Sequence, residues 1–177
     1  MRTIAILRHG EAEYGLDDDA SRVLTDYGIQ HSCEAAKTLH KALLLKGKGL
    51  DAIFYSPFTR TQQTAKAVSD TLASLNGLDV EDGCAIHLAP NNHLLGDNIP
   101  HMVCKWLDSL PYETVLLISH QPLVSCLLDW VVQGADSFKL GGTDNFPFSP
   151  SSLAIMHAEV IAQGCAELDS LLHHPAY

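Results

Sequence analysis

The sequence predicts an α/β fold, a three-layer α/β/α sandwich whose sheet is mostly parallel and closes with a C-terminal β-hairpin. Three observations carry this. Short apolar runs alternate with longer segments of helical period, the order expected of a sheet with helices on both faces. One run, Thr114-Val115-Leu116-Leu117-Ile118, is almost continuously apolar, as a central parallel strand covered on both faces has to be. Two final runs, 152–160 and 165–172, flank a Gln163-Gly164 turn and read as a hairpin. With 177 residues, 46% of them apolar, the chain is expected to form one domain, 1–177, around a real core.

The elements follow in order. Met1 to Ile6 is a short apolar run with the β-branched Ile4 and Ile6, and it leads into Leu7-Arg8-His9-Gly10, where a buried strand is expected to stop. The stretch 11–19 is acidic and reads mostly as a solvated loop. Thr25 can cap a helix that carries Ile29, Cys33, Ala36, Leu39, Leu43 and Leu44 on one face, and Lys46-Gly47-Lys48-Gly49 ends it. Asp51 to Tyr55 is the second strand. Ser56 is a candidate N-cap with Pro57 at the first helical position, and the helix runs through Thr64, Ala67, Val68 and Leu72 to about Leu75 before Asn76-Gly77. A third strand is placed around 85–88, followed by a Pro90-Asn91-Asn92 loop and a helix over 98–110 with Val103, Trp106, Leu107 and Leu110 inward. After the strand at 114–118 comes Ser119-His120-Gln121-Pro122, then a helix over 123–132 and a Gly/Pro-rich loop over 133–150.

The formal charge of −10 argues against nucleic-acid or anionic-membrane partners, both of which select basic surfaces. Any anion site must be a local positive cluster. The five cysteines are an odd number without a Cys-x-x-Cys pair and read as free thiols in a reducing compartment. A strand starting at Met1 leaves no room for a signal peptide, and the longest uncharged stretch, 114–128, is too short to span a bilayer. A soluble, cytoplasmic monomer is therefore expected. His31, His40, His87, His93, His101 and His157 lack metal-ligand spacing, so no metal and no cofactor is expected.

Chemistry concentrates where strands end. The first strand ends in Arg8-His9, the second just before Arg60, the fourth in His120. In a parallel sheet these carboxyl ends share one edge, where ligands of open α/β sheets bind. Two guanidiniums and two imidazoles in one pocket repel unless an anion neutralises them, and a phosphoryl group carries that charge.

These residues resemble a known family. Leu7-Arg8-His9-Gly10-Glu11 is similar to the signature of the histidine phosphatase superfamily, with its phosphoglycerate mutase-like fold. Ser56-Pro57-x-x-Arg60 followed by Thr64 resembles its second motif, and Ser119-His120 its third. Arg22-x-Leu24-Thr25-x-x-Gly28, the run Ser119-His120-Gln121-Pro122-Leu123-Val124, the late Ser-Ser pair with the hairpin that follows it, and the short chain resemble the SixA-type phosphohistidine phosphatases. The resemblance implies that His9 is the nucleophile, forming a phosphohistidine intermediate that water hydrolyses. It must be neutral, with its other ring N–H held by an acceptor such as a backbone carbonyl. Arg8, Arg60 and His120 are implied to bind the phosphoryl oxygens. Larger members carry an acidic residue that protonates the leaving oxygen. Here Asp97 and Glu11 are the candidates, each also readable as a surface charge or cap, and a phosphohistidine leaving group can do without such an acid.

The implied substrate is a phosphorylated protein, such as a phosphotransfer domain. A small phosphorylated metabolite, handled by a phosphomonoesterase or a mutase, is the alternative. A phospho-binding module without catalysis is a third reading, although the nucleophile and all three clamp residues are present.

Overall fold

The computed structural model describes residues 1–14, 18–77, 86–136 and 146–173. Six strands form one sheet: β1 (Arg2–Arg8), β2 (Ala52–Tyr55), β3 (His87–Pro90), β4 (Thr114–Ser119), β5 (Leu153–Ala158) and β6 (Ala166–Leu172). Their order across the sheet is β3-β2-β4-β1-β5-β6. The pairs β2·β3, β2·β4 and β1·β4 are parallel, while β5 runs antiparallel to β1 and β6 antiparallel to β5. The apolar run therefore lies at the centre as expected, with every residue of β4 buried.

Two helices cover one face and two the other. Ala5, Leu7, Ile53, Leu116 and Ile118 pack against α1 (Asp26–Leu45) and α2 (Thr59–Leu75). Ile4, Ile6, Phe54, Val115 and Leu117 pack against α3 (Pro100–Asp108) and α4 (Leu123–Leu128). Successive residues of one strand thus feed two cores, as strand geometry requires. No helix among the described residues is long and apolar enough to cross a membrane.

Several local expectations need correction. Thr25 caps α1 as predicted, its hydroxyl accepting from the Gly28 N–H at 3.0 Å. The buried face of α1, however, is Gly28, Ser32, Ala35, Ala36, Leu39 and Leu43, and Ile29 and Leu44 are exposed. Small residues won because the helix lies against the backbone of the loop after β1. A Cβ on Gly28 would stand 2.1 Å from the Glu11 carbonyl oxygen, and one on Gly10 2.5 Å from that of Gly28.

Ser56 does not cap α2. The helix begins at Thr59 behind Phe58, because Ser56 still belongs to the extended chain, donating its N–H to the Ile118 carbonyl at 3.1 Å. The third strand falls at His87–Pro90, later than predicted, and Ala85 lies outside the described residues. The helix α3 starts at Pro100 rather than 98, since the residue before a proline is pushed into extended backbone and Ile99 is extended. The helical run after β4 ends as one wide π turn, Asp129–Gln133. Half of the predicted loop 133–150, residues 137–145, lies outside the described residues.

Candidate active site

Sheet register delivers the site. Arg8 on β1 pairs with Ser119 on β4, and Tyr55 on β2 pairs with Ile118. Arg8, His9, Ser56 and His120 therefore leave the sheet at one edge, and the first turn of α2 brings Arg60 over it. Arg8, His9, Arg60 and His120 line one cleft of about 540 Å³, together with Glu11, Tyr14, Arg22 and Gln121. The four residues singled out from the sequence are thus brought together.

His9 is held on all sides. Its N–H donates to the Ser119 carbonyl at 3.0 Å, and its own carbonyl accepts from the Ser151 N–H at 3.1 Å. Its ring Nδ1 lies 2.7 Å from the Gly10 carbonyl oxygen. A carbonyl only accepts, so Nδ1 carries the hydrogen and Nε2 keeps its lone pair. That lone pair accepts from Arg60 Nε–H at 3.2 Å. Burial pushes the His9 pKa down to about 3. The charges of Arg60 and Arg8, and of His120 whenever it is protonated, add to this, and the Gly10 hydrogen bond partly opposes it. His9 is therefore a neutral imidazole at physiological pH.

His120 stands beside it, with ring centroids 5.1 Å apart. Its Nε2 is 2.8 Å from the Ser56 hydroxyl. Burial and then Arg60 push its pKa down to about 4, so it too is neutral. Arg8 donates to the Phe148 carbonyl at 2.6 Å, and burial followed by the charge of Arg60 weakens its hold on its proton. Arg60 stacks on Phe58, its guanidinium carbon 5.0 Å from the ring centroid.

Arg8 Nε and His120 Nδ1 are buried without a hydrogen-bond partner among the described residues. Buried polar atoms are rarely left so. Both belong to cleft-lining side chains, and both are potential donors to an oxyanion. Among the described residues no group of His, Cys, Asp and Glu side chains is arranged to hold a metal ion.

The two candidate acids part ways. Glu11 lines the cleft, its carboxylate accepting from the Thr25 hydroxyl at 3.2 Å. Asp97 is exposed and does not line it, and His93 stacks on Trp106 in a separate groove.

Three contributors were not legible. Asp19, inside the stretch read as mostly solvated, accepts from Arg60 Nη2 at 2.9 Å. Ser56 reaches His120 rather than capping a helix. Ser151 is buried at φ +60 and donates its one N–H to both the Arg8 and His9 carbonyls, at 3.2 and 3.1 Å. Left-handed backbone costs a non-glycine residue about 1 kcal/mol or more and persists where the surroundings over-determine it. Only the late Ser-Ser pair in the resemblance hinted at Ser151.

Known proteins similar to this chain bear on its family and its fold. The family model described as the histidine phosphatase superfamily (branch 1) matches residues 4–82. A phosphohistidine phosphatase SixA homolog of Haemophilus influenzae is 34% identical over 127 residues, 68% of this chain and 71% of that protein. The protein histidine phosphatase SixA complexed with tungstate superposes with a TM-score of 0.74 at 23% identity, covering 97% of this chain and 96% of the other. Phosphoglycerate mutase from Plasmodium falciparum gives a TM-score of 0.63 at 16% identity over 99% and 94%. The last two show the fold alone, which is the phosphoglycerate mutase-like one expected.

Proposed function

Because the chain belongs to the histidine phosphatase superfamily, we propose that it hydrolyses phosphohistidine in a protein substrate through a phosphohistidine intermediate on His9. One observation carries the reading: a buried, neutral His9 with its tautomer fixed by Gly10 and its Nε2 lone pair on Arg60, in a cleft shared with Arg8 and His120. The name borne by the 34%-identical relative supports the substrate class.

In the first step Arg60 Nε–H moves from His9 Nε2 to a phosphoryl oxygen, which frees the lone pair. The Nε2–P bond forms while the substrate's P–N bond breaks, and the electron pair departs on the leaving imidazole nitrogen. That imidazole carries a proton on its ring, so it leaves neutral and needs no acid from the enzyme. Water then attacks phosphorus, the Nε2–P bond breaks, and the pair returns to Nε2. Arg8, Arg60 and His120 stabilise the charge on the equatorial oxygens in both steps, each worth on the order of a hundredfold in rate. By the same reading the partner is a phosphotransfer domain, and the protein acts in the cytoplasm as a monomer.

A second reading, phosphomonoester hydrolysis, has one observation in its favour, since Glu11 puts a carboxyl group in the cleft where an ester oxygen needs a proton. One experiment tests both. The full chain and its His9→Ala, Glu11→Gln and Asp97→Ala variants are assayed on a phosphorylated phosphotransfer protein and on phosphomonoesters, with labelled phosphate trapped by acid-free quenching. Label on His9 and phosphohistidine turnover that survives Glu11→Gln and Asp97→Ala are the expected results. Absence of label with full turnover overturns the covalent route. Turnover confined to phosphomonoesters and lost in Glu11→Gln selects the second reading.

A further inference from the structure

The residue that carries a further inference is Asp19, in the 3-10 turn Asp19–Ser21. The turn is itself braced. Asp18 Oδ1 accepts from the Ala20 N–H at 3.1 Å, and the Ser21 hydroxyl donates to the Asp18 carbonyl at 3.0 Å. From it, Asp19 grips two arginines. Its Oδ2 accepts from Arg60 Nη2 at 2.9 Å, its Oδ1 from Arg22 Nη1 at 3.0 Å, and its backbone carbonyl from Arg60 Nη1. Arg60 and Arg22 line the cleft, whereas Asp19 does not. The carboxylate therefore holds both guanidiniums from outside the space a phosphoryl group would fill.

We propose that Asp19 is a positioning residue that fixes the guanidinium plane of Arg60, and the place of Arg22 beside it, for phosphoryl transfer. The inference rests on the function proposed above, because it concerns the same cleft. Arg60 has five N–H groups, and Asp19 occupies one on each terminal nitrogen. Two bonds to one residue set the plane of the fork, and that plane aims Nε–H at His9 Nε2, 3.2 Å away. When phosphate arrives, Arg60 has only to exchange that one bond, while both anchors stay. Arg22 is fixed in the same way, with Nε on the Glu13 carbonyl at 2.7 Å and Nη2 on that of Ala12 at 3.4 Å. The Asp19 carboxylate also offsets the repulsion between Arg60 and the other positive groups of the cleft, and the two arginines hold it ionised, below the usual carboxylate range.

The test uses the full chain with Asp19→Ala and Asp19→Asn. Steady-state kinetics on the phosphorylated protein substrate are combined with calorimetric titration of vanadate, and thermal unfolding reports folding. Asp19→Ala is expected to lower kcat about 10- to 100-fold, as a misplaced clamp does. KM should move less than about threefold and vanadate should bind correspondingly more weakly. Asp19→Asn, which keeps one acceptor, should recover part of kcat. Unchanged kcat with tighter vanadate binding would make Asp19 a mere competing anion and overturn the proposal. Equal changes in kcat and KM that track a lowered Tm, without rescue by asparagine, would overturn it as well. A wild-type protein that neither binds vanadate nor turns over phosphohistidine would sink the proposed function instead.

Discussion

Acidification should destabilise this protein through two particular imidazoles. His9 and His120 are buried and neutral when folded, with pKa values pushed down to about 3 and about 4. In the unfolded chain each returns to its ordinary value of about 6.5. Between those limits the unfolded state binds more protons, so stability is full above about pH 6.5 and falls as the pH drops. At pH 5, about 1.5 units below the unfolded value, each imidazole costs about 2 kcal/mol, and the pair about 4. That is a large share of the 5–15 kcal/mol typical of a domain. The figure does not depend on the depth of either folded pKa, provided both lie well under 5. Urea unfolding at pH 7.5 and 5.0, in buffers free of oxyanions, measures it. His9→Gln should shrink the loss between the two pH values by about 2 kcal/mol. A variant with the same pH loss as wild type would refute the claim that His9 is held neutral by burial. The functional corollary is a kcat/KM profile of the free enzyme without an acid limb near 6.5.

Two further substitutions probe the supports of the site. Ser56→Ala removes the hydroxyl 2.8 Å from His120 Nε2 and leaves that buried ring with neither nitrogen bonded. It is expected to cost about 1 kcal/mol of stability and to lower kcat more than KM, and unchanged kinetics would show that this hydrogen bond does not orient His120. Gly28→Ala puts a methyl group 2.1 Å from the Glu11 carbonyl oxygen, against backbone that must shift. A loss of about 1–3 kcal/mol is expected, with reduced turnover because the displaced loop carries Gly10, the acceptor of His9 Nδ1–H; a Tm within a degree of wild type would refute the close packing.

What the sequence made legible were features whose cause is local. The apolar β4 announces a buried central strand, and Arg8, His9, Arg60 and His120 stand out because each is a charged or titratable residue at the end of a run that needs none. Thr25 reads as a cap because its partner, Gly28, is three residues away. The misses share the opposite property. Ser56 looks like a cap by the same local rule, yet its hydroxyl serves a histidine 64 residues on. Asp19 resembles its acidic neighbours, and although Arg22 is near in sequence, its tie to the site is made through an arginine 41 residues away. Ile29 and Leu44 satisfy a helical period, but the close approach of α1 to Gly10 selected small side chains for the buried face. The strand β3 lies later than its pattern predicts because, among the described residues, it pairs with β2 alone and exposes most of its residues, so little apolar pattern marks it.

The same contrast explains how a chain of net charge −10 can present an anion site. Two guanidiniums and two imidazolium ions packed together would repel, and burial would raise the cost of each charge. The fold avoids this by keeping both imidazoles neutral and by leaning the inner guanidinium, Arg60, on a carboxylate outside the cleft. The cleft lining then carries the guanidiniums of Arg8, Arg22 and Arg60 and the carboxylates of Glu11 and Glu13, with Asp19 set against Arg60 and Arg22 from outside it. An arriving phosphoryl dianion makes the potential at both rings more negative, so its binding raises their proton affinity. Thus the feature that leaves His9 with a lone pair for attack also leaves His120 able to take up a proton once the anion is in place, and binding of sulfate, a dianion with no proton of its own to release near pH 5, should be accompanied by proton uptake.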